Sequence, residues 1–309
     1  MLASTVKSNA GEIARPLAPA RNGRAKRLII NADDLGLSYG ITDAIFDTHR
    51  KGVVTSASLM VNQPATDYAV TRLKDAPNLD VGIHLNLCEG QPALPANEVP
   101  SLVGSDGCFI PAGQLTKKLV LWQVSAKEIE KEFCAQIDRM RAYGLEPSHA
   151  DSHLRLHMYP AATLAFRRAV LSRGIRKARA PRKQVWSSEI DFLNAHAGSL
   201  PRRVAISTYN NLLQYVIFSD LKLPDAGVAL HPQFRKHLAL LPDAWISALV
   251  HMTPGTYELW CHPGYYQEGF SESDPLRDRR TLEVTLLESH QLRETLANSG
   301  IELVSFRDL

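Results

Sequence analysis

The sequence predicts an α/β protein, a parallel sheet with helices outside it, either closed as a barrel or open and doubly wound. Two observations carry that reading. Short apolar runs ending in acids or histidines alternate with segments of helical period from Arg27 onward. The composition, 45% hydrophobic and 22% charged over 309 residues, is that of a globular chain able to bury a sizeable core. Length alone admits one domain or two, because α/β barrels run to about 250 residues as a single unit. No repeat with a period of about 20 to 50 residues is present, which removes a solenoid.

Taken in order, residues 27–32 (RLIINA) form a buried strand that stops at Asp33 and Asp34. Residues 39–51 place Ile41, Ala44, Ile45 and His49 on one helical stripe, and Gly52 closes the helix. Residues 53–61 read as strand, 64–75 as helix and 80–87 (DVGIHLNL) as a third, alternating strand. Residues 88–113 form a long loop of the kind that carries function. Ser125 and Glu128 have the spacing of a capping box, and Ile129, Phe133, Ile137 and Met140 share a stripe, so 125–143 is a helix ended by Gly144. Residues 149–158 follow as strand, 160–173 as a helix with Pro160 in its first turn, and 175–180 as strand. Residues 181–231 are irregular and are expected to supply loops or a small helical cap. A helix over 245–251, a strand over 257–261, a long helix over 282–298 stopped by Gly300 and a last strand over 301–306 complete the chain.

Charge and cysteine usage narrow the function. Thirty-five Lys plus Arg against 32 Asp plus Glu give +3, and Lys7, Arg15, Arg21, Arg24 and Lys26 hold much of that excess. The folded body is near neutral, with no basic face interleaved with aromatics, so nucleic acid is not expected as a partner. Cys88, Cys108, Cys134 and Cys261 form no CxxC pair, which argues against a zinc knuckle or a disulfide framework. No window of about 18 apolar residues and no apolar leader is present; a cytoplasmic location without a membrane span is expected. Residues 1–26 read as a disordered tail, Arg-rich and acid-poor like an organellar transit peptide but without its amphipathic helix.

The chemistry gathers at strand ends. Asp33 and Asp34 end the first strand, His84 lies in the third, His149, Asp151, His153 and His157 in the fourth, and His262 follows the strand YELWC. In a parallel α/β fold those ends converge on the face that holds the active site. Adjacent carboxylates in an apolar setting need a cation, and an Asp with two His is a good donor set for zinc with positions left open. Asp34, His84 and His153 come from different strands and suit that set. Asp33 is then free to take a proton from the nucleophilic water. A strand histidine is ordinarily a core or surface residue and an Asp pair ordinarily an N-cap; it is the coincidence of all these groups at equivalent places that favours a site. His262, turned by Pro263 and Gly264 immediately after its strand, joins the same face. Motifs for serine hydrolases, dinucleotide enzymes, P-loop NTPases and zincins are absent, and Cys261 beside His262 points to the opposite face, so the two form no dyad.

The runs LIINADDLGLSYG, GVVTSASLMVN, VGIHLNL, PSHADSHLRLHMYP, YELWCHPGYY and IELVSFRDL are, in order and spacing, similar to those of the YdjC-like carbohydrate deacetylases, the family of chitooligosaccharide and hopanoid-associated deacetylases. The resemblance spans 27–309. It implies a distorted, TIM-like (β/α) barrel as a single domain over 27–309, interrupted by the segments at about 88–113 and 181–231. It also implies one divalent metal ion, zinc first with magnesium as the alternative, and removal of an N-acetyl group from an N-acetylglucosamine-type sugar. On matching positions, Asp33 is the base, and Asp34, His84 and His153 are the metal ligands. For His262 the resemblance implies the acid role, stabilising a tetrahedral intermediate and protonating a leaving amine. Arg280 and Glu283 match less tightly and stand as supporting residues. One departure is plain: the family runs alternating histidines after the Asp-Ser pair, and here the middle one is Arg155. In a strand His153, Arg155 and His157 would share a face, with Arg155 meeting substrate or an acid, His157 in a supporting place and Asp151 orienting a neighbouring histidine. An N-acetylated sugar is the expected partner, and a homodimer is an expectation left open. The competing readings are a sugar-binding protein without turnover and a metal-dependent phosphoesterase.

Overall fold

The computed structural model describes residues 25–181, 183–185, 200–229, 241–272 and 274–309. The expected tail over 1–26 therefore lies outside the described residues up to position 24, and Lys26 already belongs to the first strand. Strand and helix alternate as β1 (Lys26–Leu35), α1 (Tyr39–Arg50), β2 (Ser56–Leu59), α2 (Thr66–Arg72), β3 (Asp80–Leu85), α3 (Ala112–Val120), α4 (Ala126–Ala142), β4 (Ala150–Ser152) and α5 (Pro160–Ser172). They continue as β5 (Lys183–Val185), α6 (Leu200–Leu212), β6 (Ala226–Ala229), α7 (Leu241–Val250), β7 (Gly255–Cys261), α8 (Arg277–Glu288), α9 (His290–Asn298) and β8 (Ile301–Val304).

Every strand pair is parallel, in the order β4-β3-β2-β1-β7-β6-β5, with β8 against the first half of β1. Single parallel bridges from Ala150 to Ala178 and from Lys177 to Lys222 bring the two ends of this curled sheet toward each other. The alternation of elements left a barrel and an open, doubly wound sheet both possible; the curled parallel sheet is the distorted barrel that the resemblance implied. Alternation along β1 sorts its side chains: Leu28, Ile30 and Ala32 join the large core under the helices, while Ile29 packs with Val304 and Phe306 in a small second cluster.

Elements form where local chemistry supports them, with several departures; the expected strand over 175–180 makes only the single bridges of Lys177 and Ala178. Ser38 caps α1 by accepting from the Ile41 amide, and Ser125 caps α4 by accepting from the Glu128 amide. Glu128 does not complete the capping box; its carboxylate accepts from the Ser101 amide at 2.7 Å. Together with Glu132, which accepts from the amides of Ala93 and Leu94, and Gln136, which holds both backbone groups of Asn86, it pins the loop over 88–113 onto α4. The expected strand over 149–158 is strand only at Ala150–Ser152. His153–Met158 is a 3₁₀ segment in which Leu154 and Arg155 have φ of 51° and 55°. The expected irregular stretch over 181–231 contains β5, α6 and β6, two of them strands of the barrel. The expected helix over 282–298 is two helices, because Ser289 is extended and caps α9 by accepting from the Leu292 amide. No helix among the described residues is long and apolar enough to cross a membrane.

Candidate active site

A cleft of about 940 Å³ opens at the ends of the strands, lined by Asp33, Asp34, His84, His153, Arg155, Arg179, Trp260, His262 and the wall from Phe270 to Arg280. The loop over 88–113 adds Glu89 and Ala112, and the described part of 181–231 adds no lining residue. Two aromatics of that segment serve packing: Phe218 is buried against Phe166, and Tyr209 donates to the Met158 carbonyl. Trp186 lies outside the described residues.

Strand alternation would send Asp33 and Asp34 to opposite faces. The register of β1 on β2 slips between Ala32 and Leu35, and Asp34 adopts φ of 69°, a left-handed conformation that Asp tolerates better than most residues. That bulge turns both carboxylates into the cleft. Asp34 Oδ1 lies 3.0 Å from His153 Nδ1 and 3.4 Å from His84 Nε2, and its Oδ2 accepts from Arg280 Nη2 at 2.9 Å. Burial works against its charge, but Arg280 and His153 outweigh it and hold Asp34 well below the usual carboxylate range.

His84 is fixed from behind. Its Nδ1 meets Asp151 Oδ1 at 2.7 Å, which turns Nε2 toward Asp34. Burial disfavours a proton there, yet Asp151 and Asp34 push His84 up to about 10. The site therefore attracts positive charge. One carboxylate oxygen and two imidazole nitrogens, from Asp34, His84 and His153, lie within 4.8 Å of one another, with Asp151 supporting one imidazole from outside. That donor set fits a divalent cation with positions left open.

Asp33 is organised around a residue the sequence reading missed. Arg179, 1% exposed, donates to Asp33 Oδ2 at 2.8 Å and Oδ1 at 2.6 Å. It also reaches Asp151 Oδ2 at 2.7 Å and Glu258 Oε1 at 2.7 Å, so one buried guanidinium serves three carboxylates. Burial pushes the Glu258 carboxyl up to about 7 in spite of Arg179. Asn31 adds a hydrogen bond to Asp33 Oδ1 at 3.0 Å. His262 Nε2 stands 3.8 Å from Asp33 Oδ2, its backbone amide donates to Glu283, and burial pulls its imidazole below the ordinary value. Cys261, next to it, is fully buried and points away, as strand alternation requires.

The sequence-predicted residues do not all meet. Asp33, Asp34, His84, His153, Arg155, His262 and Arg280 line one cleft, and Asp151 sits directly behind His84. The shared face of His153, Arg155 and His157 is not found, because the chain leaves the strand at Ser152 and turns through two left-handed residues. His157 goes into the core: its Nδ1 lies 2.6 Å from Ser152 Oγ and its ring stacks on Phe166 at 4.6 Å. His149 faces the barrel interior but sits at the floor, stacked on Phe306 at 3.7 Å. Arg179, Glu258 and Trp260 were overlooked. A positional signal existed for the last two, since Glu258, Trp260 and His262 alternate along β7 onto one face.

The YdjC-like protein family matches residues 27–298 of this chain. A carbohydrate deacetylase of Geobacillus stearothermophilus is 32% identical over 91% of this chain and 96% of its own length. A carbohydrate deacetylase of Brevibacillus brevis is 30% identical over 92% and 99%. The crystal structure of an Enterococcus faecalis V583 protein, whose suggested role is cellobiose-phosphate cleavage, superposes with a TM-score of 0.75 at 26% identity, covering 92% of this chain and 98% of that one. With a match running through every strand that carries the cleft residues, the chain belongs to the YdjC-like family.

Proposed function

We propose that the protein is a metal-dependent hydrolase that removes the N-acetyl group from an N-acetylglucosamine-type unit of an oligosaccharide, glycolipid or glycoconjugate. The observation that carries this reading is the adjacency of a held carboxylate and an imidazole, Asp33 and His262 at 3.8 Å, beside the Asp34, His84 and His153 donor set. Carbohydrate deacetylation is the activity named for its relatives. Asp34, His84 and His153 hold the divalent ion, zinc first and magnesium as the alternative, with Asp151 and Arg280 orienting two of the three. When bound, that ion supplies positive charge where the acyl oxygen and the attacking water develop negative charge.

The chain's own residues then divide the proton work. Asp33, fixed on both oxygens by Arg179, takes a proton from the attacking water as its oxygen bonds to the acyl carbon. His262, 3.8 Å from Asp33, hydrogen-bonds the tetrahedral oxyanion, takes over the proton that Asp33 gained, and passes it to the amine nitrogen as the C–N bond breaks. Acetate and the free amino sugar leave, with Asp33 again a carboxylate and His262 again neutral. Burial keeps His262 neutral in the resting protein, so its acid form is generated within the cycle. The test is to incubate metal-loaded protein with free, oligomeric and lipid-linked N-acetylated sugars and measure acetate. Release from at least one is expected; metal bound with no acetate from any would overturn the hydrolase in favour of a sugar-binding protein.

A further inference from the structure

The cleft carries five arginines, and four have carboxylate partners. Arg179 serves Asp33, Asp151 and Glu258; Arg277 pairs with Asp278, Arg279 with Glu283, and Arg280 with Asp34 and Asp274. Arg155 is different. Its Nη2 donates only to the carbonyls of Ala180 and Pro181, at 3.4 and 3.1 Å, and its buried Nη1 has no partner. Among the described residues it is the one cleft arginine without a carboxylate.

The chain goes to some length to hold this cation in place. Leu154 and Arg155 are consecutive left-handed residues, an arrangement sterically unfavourable for both and of the kind found at binding sites. The guanidinium lies 5.2 Å from the Trp260 ring, which Arg179 also approaches at 5.6 Å. Gly227 makes room for that indole, since a Cβ there would stand 2.3 Å from Trp260 Cζ3. His153, two residues earlier, lines the same cleft.

We propose that Arg155 is a specificity-determining residue that binds an oxyanion, carboxylate or phosphate, carried by the sugar close to its N-acetyl group. A guanidinium offers paired N–H donors that match either anion, and the unpartnered Nη1 of Arg155 leaves a donor for an oxyanion that a substrate brings. This deepens the hydrolase reading and rests on the cleft being the sugar site.

The experiment compares binding by calorimetry, and acetate release, for an N-acetylglucosamine disaccharide, its phosphomonoester and its uronate-bearing counterpart, using metal-loaded wild type, Arg155→Gln and Arg155→Lys. The wild type should bind at least one anionic sugar about tenfold or more tightly than the neutral one. Arg155→Gln should erase that ratio, Arg155→Lys should restore part of it, and metal content should be equal in all three. Which anionic sugar is favoured separates phosphate from carboxylate. Equal binding of neutral and anionic sugars by the wild type, or an anionic preference kept by Arg155→Gln, would overturn the proposal. Absence of acetate from every sugar would strike the hydrolase reading instead, and the binding ratio would still decide the role of Arg155.

Discussion

Asp33 and Arg179 define the residue scale, because each makes the other tolerable in a buried place. Replacing Asp33 with Asn keeps the shape and most hydrogen bonds but removes the proton acceptor. Turnover should fall by at least about a hundredfold while metal content stays at wild type, read by acetate release and elemental analysis. Replacing Arg179 with Met leaves Asp33, Asp151 and Glu258 without their shared cation. The cost should be about 3 to 5 kcal/mol of stability in denaturant unfolding, and a near-wild-type midpoint would contradict the assignment. Asp33, Asp34 and His84 were readable as a site because acids and imidazoles at strand ends are rare without a reason. Arg179 was not, because within the basic run RKARAPRK nothing distinguishes a buried arginine from solvated neighbours. The pairing of Asp33 with Asp34 on one side of the sheet was likewise hidden, since it depends on a bulge rather than on residue type.

At the scale of elements, alternation and capping marked most strands and helices, and failures occurred where a local turn overrode the pattern. Residues 149–158 alternate like a strand, yet Ser152 Oγ accepts the His157 amide at 3.0 Å and closes the chain into a tight turn. That turn sends His153 to the cleft and His157 to the core, which period-2 reasoning could not separate. Ser289 breaks an otherwise continuous helical stripe by capping from within it. Close packing between β6 and β7 gives a further test. Gly227→Ala would drive a methyl into the Trp260 ring and should cost about 1 to 3 kcal/mol, with a changed indole fluorescence as the ring shifts. Unchanged stability and emission would show that the ring has room the structure does not provide.

The whole molecule is a barrel with a polar interior, its apolar residues packed on the outside under the helices. Asn31, Ser58, His149, Asp151, Arg179 and Glu258 fill the inside, and Phe306 closes the floor against His149. Gly82 allows this floor, because a Cβ there would meet the His149 ring at 2.4 Å. Burial holds His149 down at about 4, although Asp151 and Asp80 oppose it, whereas an unfolded histidine titrates near 6.5. Above pH 6.5 both states are neutral and His149 makes no pH-dependent contribution. Between about 6.5 and 4 the unfolded chain takes up a proton that the folded chain refuses, so stability falls with falling pH, by about 3 kcal/mol at most. His149→Gln should flatten that part of the profile, measured as the unfolding midpoint at pH 7 and pH 5; an unaltered slope would remove His149 as its source.

The central claim is that Asp34, His84 and His153 bind one ion while Asp33 carries the proton transfer beside it. Elemental analysis combined with acetate release on wild type, Asp33→Asn, His84→Ala and His49→Ala tests it most directly. One divalent ion per chain is expected in the wild type, Asp33→Asn and His49→Ala, and none in His84→Ala, with acetate formed only by the wild type and His49→Ala. Full metal occupancy in His84→Ala, or acetate from Asp33→Asn at the wild-type rate, would contradict the account.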